Sequence, residues 1–501
     1  MQLIDLPEGW IEGKLGELVR VCSGVGFPKK FQGKSTGDYP VYKVGDVSKA
    51  VSANNGYLNT AGHFVDSKEA VELKGEIFPI GTTLFAKIGE AVKLNRRAFI
   101  LKPGLADNNV MAVLPDMKES NRFIYCFMRT VDLGDVSRST TVPSVRKGDI
   151  EELVLAIPPF VEQKVIADKL DTLLAQVDNT KARLQRIPEI LKNFRQSILA
   201  AAMSGKLTEE WREKKPPLEA ISLAEIDSYW ASRYLNAGKK RARLDLFQPV
   251  SLNQTPEKWL NTSIGYVFDV YVGATPSRSV EDYWNGDVPW VSSSEVAFCR
   301  INSTKESITK LGLSKTSTSI HPPGTVMLAM IGQGKTRGQA AILDIEACHN
   351  QNTAALRVPE GFVISEYLYF YLTKQYEETR GIGGGNNQQA LNKGFVQSLE
   401  FPLPPLHEQQ EIVRRVEELF AFADRIEQQA ITGLARVNNL TQSILVKAFR
   451  GELTADWRIA NPELIKGDNS AVALLQKIHA GRETPSNKKQ TKKKIAAREK
   501  A

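Results

Sequence analysis

The stretch from Pro158 to Arg212 occurs twice in this chain, and no other feature restricts the fold so tightly. Pro158-Pro159, Glu162-Gln163, Asp178, Gln196-Ser197-Ile198-Leu199, Gly205, Leu207-Thr208 and Trp211-Arg212 return as Pro404-Pro405, Glu408-Gln409, Asp424, Gln442-Ser443-Ile444-Leu445, Gly451, Leu453-Thr454 and Trp457-Arg458. The separation is constant, since 408 − 162 and 457 − 211 both give 246. A gap-free repeat of this length implies a fixed shape, because one inserted residue would rotate every later side chain off its face.

The apolar spacing says which shape. Ile166, Leu173, Ile187, Phe194 and Ala201 lie on one seven-residue ladder, and Leu170, Val177, Leu184, Leu191 and Ile198 lie on a second, four residues on. This a/d pattern marks a helix that buries one stripe against another helix. Thr180 interrupts the stripe, and Pro188 predicts a bend just past the middle. The second copy keeps the register with Ile412, Leu419, Ile426 and Leu440 against Val416, Ala423, Val437 and Ile444, loosened by Ala430, Gly433 and Lys447. The double prolines start each helix, and Gly205 and Gly451 end them as C-caps. At 1.5 Å per residue each helix runs roughly 50 Å. Two such stripes in one chain most simply bury each other as an antiparallel pair.

At 501 residues the chain has room for about three domains. No apolar run approaches the length of a membrane span, and Met1-Gln2-Leu3-Ile4-Asp5 lacks the pattern of a signal peptide, so a soluble, cytoplasmic protein is expected. Cys22, Cys126, Cys299 and Cys348 are scattered and read as reduced, buried thiols. A net charge of +8 suggests a polyanionic partner. Part of that excess lies in a basic C-terminal tail, 459–501, which includes Lys488, Lys489, Lys492, Lys493, Lys494, Arg498 and Lys500.

Residues 1–157 read as short strands separated by turns, with little helical signal beyond Asn121 to Thr130: an α+β domain rich in surface loops. The first long helix occupies 158–212. A linker, 213–250, follows with one short helix over Ile221 to Leu235 and a basic cluster at Lys239-Lys240-Arg241-Ala242-Arg243. Residues 251–402 then repeat the first domain in outline. Pro256-Glu257-Lys258-Trp259 matches Pro7-Glu8-Gly9-Trp10, Gly324-Thr325 matches Gly81-Thr82, and Asn352 matches Asn109. The second long helix, 403–458, closes the repeat. The anchors recur while the loops between them diverge, as between Gly24 to Gly37 and Gly273 to Gly286. One scaffold carrying two different sets of loops describes a device with two different readers at a fixed separation.

Candidate catalytic motifs fall short. Gly332-Gln333-Gly334-Lys335-Thr336 resembles the end of a phosphate-binding loop, but the first glycine of that motif is Ala329 here and no helix pattern follows. Ile157-Pro158-Pro159-Phe160 is close to the Asn-Pro-Pro-Phe motif of amino-methyltransferases, but the Asn is Ile157, and Leu403 in the second copy. The histidines His63, His321, His349, His407 and His479 show no metal spacing, and no metal site is expected. No catalytic residue is assigned, and a non-catalytic role is expected.

Groups suited to phosphate and base-edge contacts do recur in the divergent loops. The first domain offers Lys29, Lys30, Lys34, Lys93, Arg96, Arg97, Asn108, Asn109, Arg138, Ser139 and Thr140. The second offers Ser277, Arg278, Ser293, Lys335, Arg337, Gln339, Gln351, Asn352, Asn386, Asn387 and Gln388. Arg and Lys pair with guanine, Asn and Gln with adenine, while Ser, Thr and Lys hold phosphate.

Together the repeat, the Pro-Pro-x-x-Glu-Gln helix starts and the Gly-x-Leu-Thr…Trp-Arg ends resemble the specificity subunit of type I restriction-modification systems, in the enteric K-type (IA-like) branch. The resemblance covers essentially the whole chain. It implies two α/β target-recognition domains joined by two long antiparallel coiled-coil helices, each domain reading one half of a split double-stranded DNA target. It further implies two methyltransferase subunits and restriction/motor subunits as partners, methylation of an adenine in each half-site, and S-adenosylmethionine, ATP and Mg2+ carried by those partners, with no cofactor in this chain. Glu162, Gln163, Leu170, Val177, Glu408, Gln409, Val416 and Leu419 are the expected helix-spacer and partner-binding positions. Two other readings stay open: a non-specific nucleic-acid-binding coiled-coil scaffold, for which tail and charge suffice, and an enzyme using the Gly332 to Thr336 loop.

Overall fold

The computed structural model describes residues 6–137, 142–215, 219–236, 238, 255–332, 335–381 and 391–483. The chain forms two compact units: residues 1–185 with 432–501, and residues 186–431. Each unit therefore holds one sheet-bearing domain and a part of each long helix.

In the first unit the strands are β1 (Ile11–Lys14), β2 (Val19–Ser23), β3 (Tyr39–Tyr42), β4 (Tyr57–Leu58), β5 (Phe64–Val65), β6 (Thr83–Ala86), β7 (Arg97–Ile100), β8 (Leu105–Ala106), β9 (Val110–Pro115) and β10 (Val154–Ile157). They form a five-stranded sheet ordered β2-β9-β6-β7-β4, a three-stranded sheet β5-β3-β8, and the antiparallel pair β1-β10. The runs of β6, β7 and β9 are buried nearly throughout, as apolar strands covered on both faces must be. In the second unit β11 (Leu260–Ser263), β12 (Asp269–Val272), β13 (Trp284–Val291), β14 (Cys299–Ile301), β15 (Glu306–Ile308), β16 (Val326–Ala329), β17 (Ala340–Leu343), β18 (Cys348–His349), β19 (Thr353–Arg357) and β20 (Glu400–Leu403) repeat the plan. Their orders are β12-β19-β16-β17-β14, β15-β13-β18 and β11-β20. The fold is α+β and built twice.

The long helices run Phe160–Met203 and Leu406–Phe449, each starting on the residue after its double proline. Gly205 and Gly451 follow with φ of 75° and 74°, the left-handed caps that the sequence predicts. A side chain at either would meet a proline ring, Pro256 Cγ at 2.4 Å or Pro7 Cγ at 2.5 Å. The helices pair antiparallel within each unit. In the first, Lys169 Nζ reaches Leu453 O at 3.0 Å and Leu184 packs on Gly433; in the second, Arg415 Nη1 reaches Leu207 O at 2.8 Å and Arg195 bonds Asp424 and Glu427. The first helix continues through Pro188.

One ladder position departs from the sequence reading. Leu440 is 46% exposed, whereas Val437, Leu445 and Ala448 are buried. An α-helix drifts about 20° per heptad from a strict seven-residue repeat, so over four heptads the buried stripe moves onto the neighbouring positions.

The repeated motif residues converge on one carboxylate per unit. Glu162, on the first turn of its helix and fully buried, accepts from Trp10 Nε1 at 2.8 Å, Thr454 Oγ1 at 2.6 Å and Arg458 Nη1 at 2.6 Å. Glu408, equally buried, accepts from Trp259 Nε1 at 2.9 Å, Thr208 Oγ1 at 2.7 Å and Arg212 Nη1. The second guanidinium nitrogen of each arginine binds the capping glycine's carbonyl, Gly451 O at 2.7 Å or Gly205 O at 3.0 Å. Beside them Gln163 donates to Pro158 O at 3.2 Å, and Gln409 to Pro404 O and Phe362 O, both at 2.9 Å. This corrects the expectation that Glu162, Gln163, Glu408 and Gln409 contact partner subunits: with 1% exposure or less they belong to the interior of this chain. Leu170, Val177 and Val416 are likewise buried, and Leu419 packs partly buried against the second core.

The segments after each long helix fold back in the same manner. Ala471–Glu483, part of what the sequence reading takes as a tail, is a helix whose Ala471, Leu474 and Ile478 enter the core that holds Trp10 and Phe123, with Arg482 donating to Gly16 O and Val19 O. Leu223–Asn236, the expected linker helix, buries Ile226 and Trp230 in the second unit, and Trp230 Nε1 donates to Val267 O at 2.8 Å. Lys239 to Arg243 and the lysines from Lys488 onward lie outside the described residues. Cys299 is exposed, contrary to the expectation of four buried thiols.

Glu408→Ala would leave the Arg212 charge without its carboxylate and two further donors without an acceptor in a dry site. A loss of about 3–5 kcal/mol in unfolding free energy is expected in urea titrations, and Glu162→Ala is expected to match it.

Candidate nucleic-acid interface

The strand pairings bring several loops to one end of each five-stranded sheet. In the first unit Ser23 pairs with Met111, Ala86 with Val110, Phe85 with Arg97 and Tyr57 with Phe99. The end of β2, the end of β6, and the starts of β9, β7 and β4 therefore share one edge. The turn Asp107-Asn108-Asn109 stands on it, tied by Gly24 N to Val110 O at 3.0 Å and Lys87 N to Asn109 O at 2.9 Å. Asp107 is buried and accepts from Asn109 N at 3.0 Å, which shapes the turn and leaves both Asn side chains exposed. Burial raises the Asp107 carboxyl above its usual range.

The second unit builds the same edge with different chemistry. Asn350 replaces Asp107 and accepts from Asn352 N at 3.0 Å; Met330 N bonds Asn352 O at 2.8 Å. Gly273 is the counterpart of Gly24, and a Cβ at either would lie 2.0 Å from a carbonyl oxygen of the turn, so both positions require glycine. Ser292 Oγ binds Glu295 at 2.7 Å, leaving Ser293 in a short turn beside it. Lys335, Arg337 and Gln339 lie on the connection from β16 to β17, where Gly338 N bonds Ala329 O at 2.8 Å. That connection is a hairpin and not the start of a helix, which removes the frame a phosphate-binding loop needs. Leu391 N bonds Met330 O at 3.2 Å, which ties the start of the following helix to the end of β16.

Other candidates are placed differently. Lys30 pairs with Glu72 and sits over the Phe31 ring, Lys34 lies 2.7 Å from Glu69, and Lys93 lies 3.0 Å from Glu90. Lys29 is exposed in the same turn as Lys30. Arg278 is held by Glu306 and stacks on Trp284 at 3.8 Å, with Ser277 Oγ 2.8 Å from Ser279 Oγ. Arg96 is half-buried, whereas Arg97 is 4% exposed and donates to Asn95 O at 2.5 Å and to Val131 O. Arg97 is thus no surface contact of the kind the sequence suggests; burial lowers its guanidinium to about 10. Arg138, Ser139, Thr140, Asn386, Asn387 and Gln388 lie outside the described residues. Sequence reasoning missed Lys43 and Lys87, which follow the ends of β3 and β6; Lys87 Nζ is 3.3 Å from Ser23 Oγ. Their signal was a lysine in the first position after a buried strand.

Behind the second edge lies a buried histidine pair. Arg357 Nε donates to His321 Nδ1 at 3.0 Å, Tyr271 packs edge-on at 5.0 Å, and His349 Nδ1 is 2.7 Å from Thr353 Oγ1. The rings are 5.0 Å apart. Burial holds His321 down to about 2 and His349 to about 4. Among the described residues no cluster of three metal-ligating side chains occurs, and no helix is long and apolar enough to cross a membrane.

The profile of a family described as type I restriction modification DNA specificity domain matches residues 7–189 and again residues 256–436. The chain is 34% identical to the type I restriction enzyme EcoDI specificity subunit of Escherichia coli, over 98% of this chain and 99% of that protein. It is 30% identical to the EcoKI specificity subunit of Escherichia coli strain K12, over 98% and 99%. Among solved structures it resembles the HsdS subunit from Thermoanaerobacter tengcongensis, with a TM-score of 0.56 and 18% identity over 89% of this chain and 98% of that one, a likeness of fold.

The histidine pair sets a pH dependence. Both imidazoles are neutral when folded and titrate near 6.5 when unfolded, so their contribution is complete above pH 6.5 and declines as pH falls from there toward 4. Each adds a slope of up to about 1.4 kcal/mol per pH unit in that window. Melting curves at pH 7 and pH 5 are expected to show a lower transition at pH 5, and His349→Phe is expected to narrow the difference to the share due to His321.

Proposed function

Since this chain belongs to the type I restriction modification DNA specificity family, we propose that it is the subunit that gives such a complex its DNA sequence specificity. The observation that carries this reading is the doubled edge: one scaffold, built twice, brings a divergent set of amide, hydroxyl and cationic side chains to the same strand ends. Asn and Gln suit bidentate pairing with adenine, and Lys and Ser suit phosphate. Each recognition domain reads one half-site of a bipartite target in double-stranded DNA, and the long helices set the number of unread base pairs between the halves.

Two methyltransferase subunits and the restriction and motor subunits complete the assembly in this proposal. They bring S-adenosylmethionine, ATP and Mg2+, and they transfer the methyl group to an adenine in each half-site. This chain contributes recognition and the frame on which recognition is held. The buried carboxylate clamps support that role, because a reader must hold its loops still to discriminate bases.

Mapping methylated adenines in cells that express this chain with its cognate methyltransferase is the direct test. One bipartite motif with a constant spacer is expected; the absence of any motif from an assembled complex would defeat the proposal. Replacing residues 251–402 with the corresponding domain of another member should exchange one half-site alone. Inserting four residues into one long helix should change the spacer and leave both half-sites as they were. Asn109→Ala is expected to weaken target binding by about 1–3 kcal/mol and to relax one position of one half-site, measured by competition binding.

A further inference from the structure

A groove of about 590 Å³ in the first unit runs from the strand-end edge to the long helices. Its near wall is Asn55, Gly56, Arg97 and Arg129, and its far wall includes Asp178, Lys181 and Gln442 of the helix pair. Gly56 precedes β4 and Arg97 opens β7, so the groove continues the edge that carries Asn108, Asn109 and Lys87. Five strands at about 4.8 Å make that edge about 19 Å wide, a little over half of the duplex repeat of about 34 Å.

The groove carries more cations than carboxylates, and its two outer cations, Arg129 and Lys181, are not paired among the described residues. Arg97 lies buried beneath it, with the Asp132 carboxylate and the Arg129 guanidinium both near its charge. Neither Arg129 nor Lys181 is held in an ion pair among the described residues; Arg129 lies over the Tyr125 ring at 5.8 Å. Asp178 is the one acidic group on its walls. The second unit differs at the matching positions. Glu427 stands where Lys181 does and Arg195 where Thr441 does, 246 residues apart in each case. There Arg195 binds Asp424 at 2.7 Å and Glu427 at 2.9 Å, and Lys192 lies 3.3 Å from Glu377. One copy of the scaffold closes its cations with carboxylates; the other leaves them facing an open channel.

We infer that this groove, lined by Arg129 and Lys181 over the buried Arg97, holds backbone phosphates of the DNA just beyond the half-site read by the first recognition domain. The inference rests on the specificity-subunit reading and adds to it a non-specific anchor on one side of the target. A duplex laid on the strand-end edge meets the groove within one turn. Phosphates supply the acceptors that Arg129 and Lys181 lack, while the buried Arg97 adds its charge from beneath without touching them. Such contacts add affinity for any sequence and leave base discrimination to the loops.

The test is salt dependence, with the chain assembled with its methyltransferase subunits on a duplex that carries the mapped motif. Arg129→Gln with Lys181→Gln should flatten the slope of log K against log salt by about 1.8, and weaken binding roughly 30-fold at 0.15 M salt, at about 0.9 per phosphate contact. The methylated motif should not change. Arg129→Lys with Lys181→Arg should restore the slope, and Arg195→Gln in the second unit should not alter it. An unchanged slope with an intact motif overturns the phosphate site and leaves the specificity reading standing. So does an unchanged slope with weaker subunit association in native mass spectrometry, which would assign the groove to an acidic segment of a partner. A wild-type complex that places no motif overturns both readings.

Discussion

A buried carboxylate with three donors is the constraint from which the architecture of each unit follows. Glu162 and Glu408 each take a tryptophan from the start of a recognition domain, and a threonine and an arginine from beyond the end of the opposite long helix. A carboxylate without water is costly unless its lone pairs are filled, so the three donors must arrive together or the site does not close. Domain, helix start and helix end are thereby fixed to one point. The glycine caps belong to the same device, because the arginine that binds the carboxylate also binds the cap carbonyl.

This explains why the repeated residues are the ones that repeat. Pro-Glu-x-Trp, Pro-Pro-x-x-Glu-Gln, Leu-Thr and Trp-Arg look like unrelated fragments along the chain; in space their key side chains are neighbours. The loops that diverge stand at the opposite kind of site, on strand ends where a turn is shaped by one side-chain oxygen accepting a backbone N–H and the side chains beyond it are left exposed. Conserved geometry and variable chemistry are separated within a few residues: Asp107 or Asn350 makes the turn, and Asn108 or Gln351 is presented by it.

The sequence disclosed the helices, their caps and their pairing, because heptad spacing and glycine after a helix have direct geometric causes. It disclosed the doubled domain through offsets alone. It did not disclose the clamp, since a glutamate beside a double proline reads equally well as a surface contact until its donors, up to 296 residues away, are in place. Leu440 was misplaced because a strict heptad ignores helical drift over a long run. Arg97 was read as a surface cation for a similar reason: strand alternation cannot tell which arginine of a pair turns inward. The two returning helices were hidden in segments whose charge suggested a linker and a tail, although Trp230 and Ile478 were the apolar groups that draw them down.

The return of Ala471–Glu483 to the first unit has a consequence for how the molecule is made. The second unit is one unbroken stretch, 186–431, whereas the first needs residues separated by that whole stretch. A ribosome adding about 5–20 residues per second leaves roughly 12–50 s between the emergence of Gln185 and that of Thr432. During that interval the first recognition domain has Trp10 and Glu162 but not Thr454, Arg458 or the apolar face of the Ala471–Glu483 helix. The domain synthesised first is therefore the last to be completed, and the nascent chain must keep an unfinished core in solution until the helix that begins at Ala471 arrives.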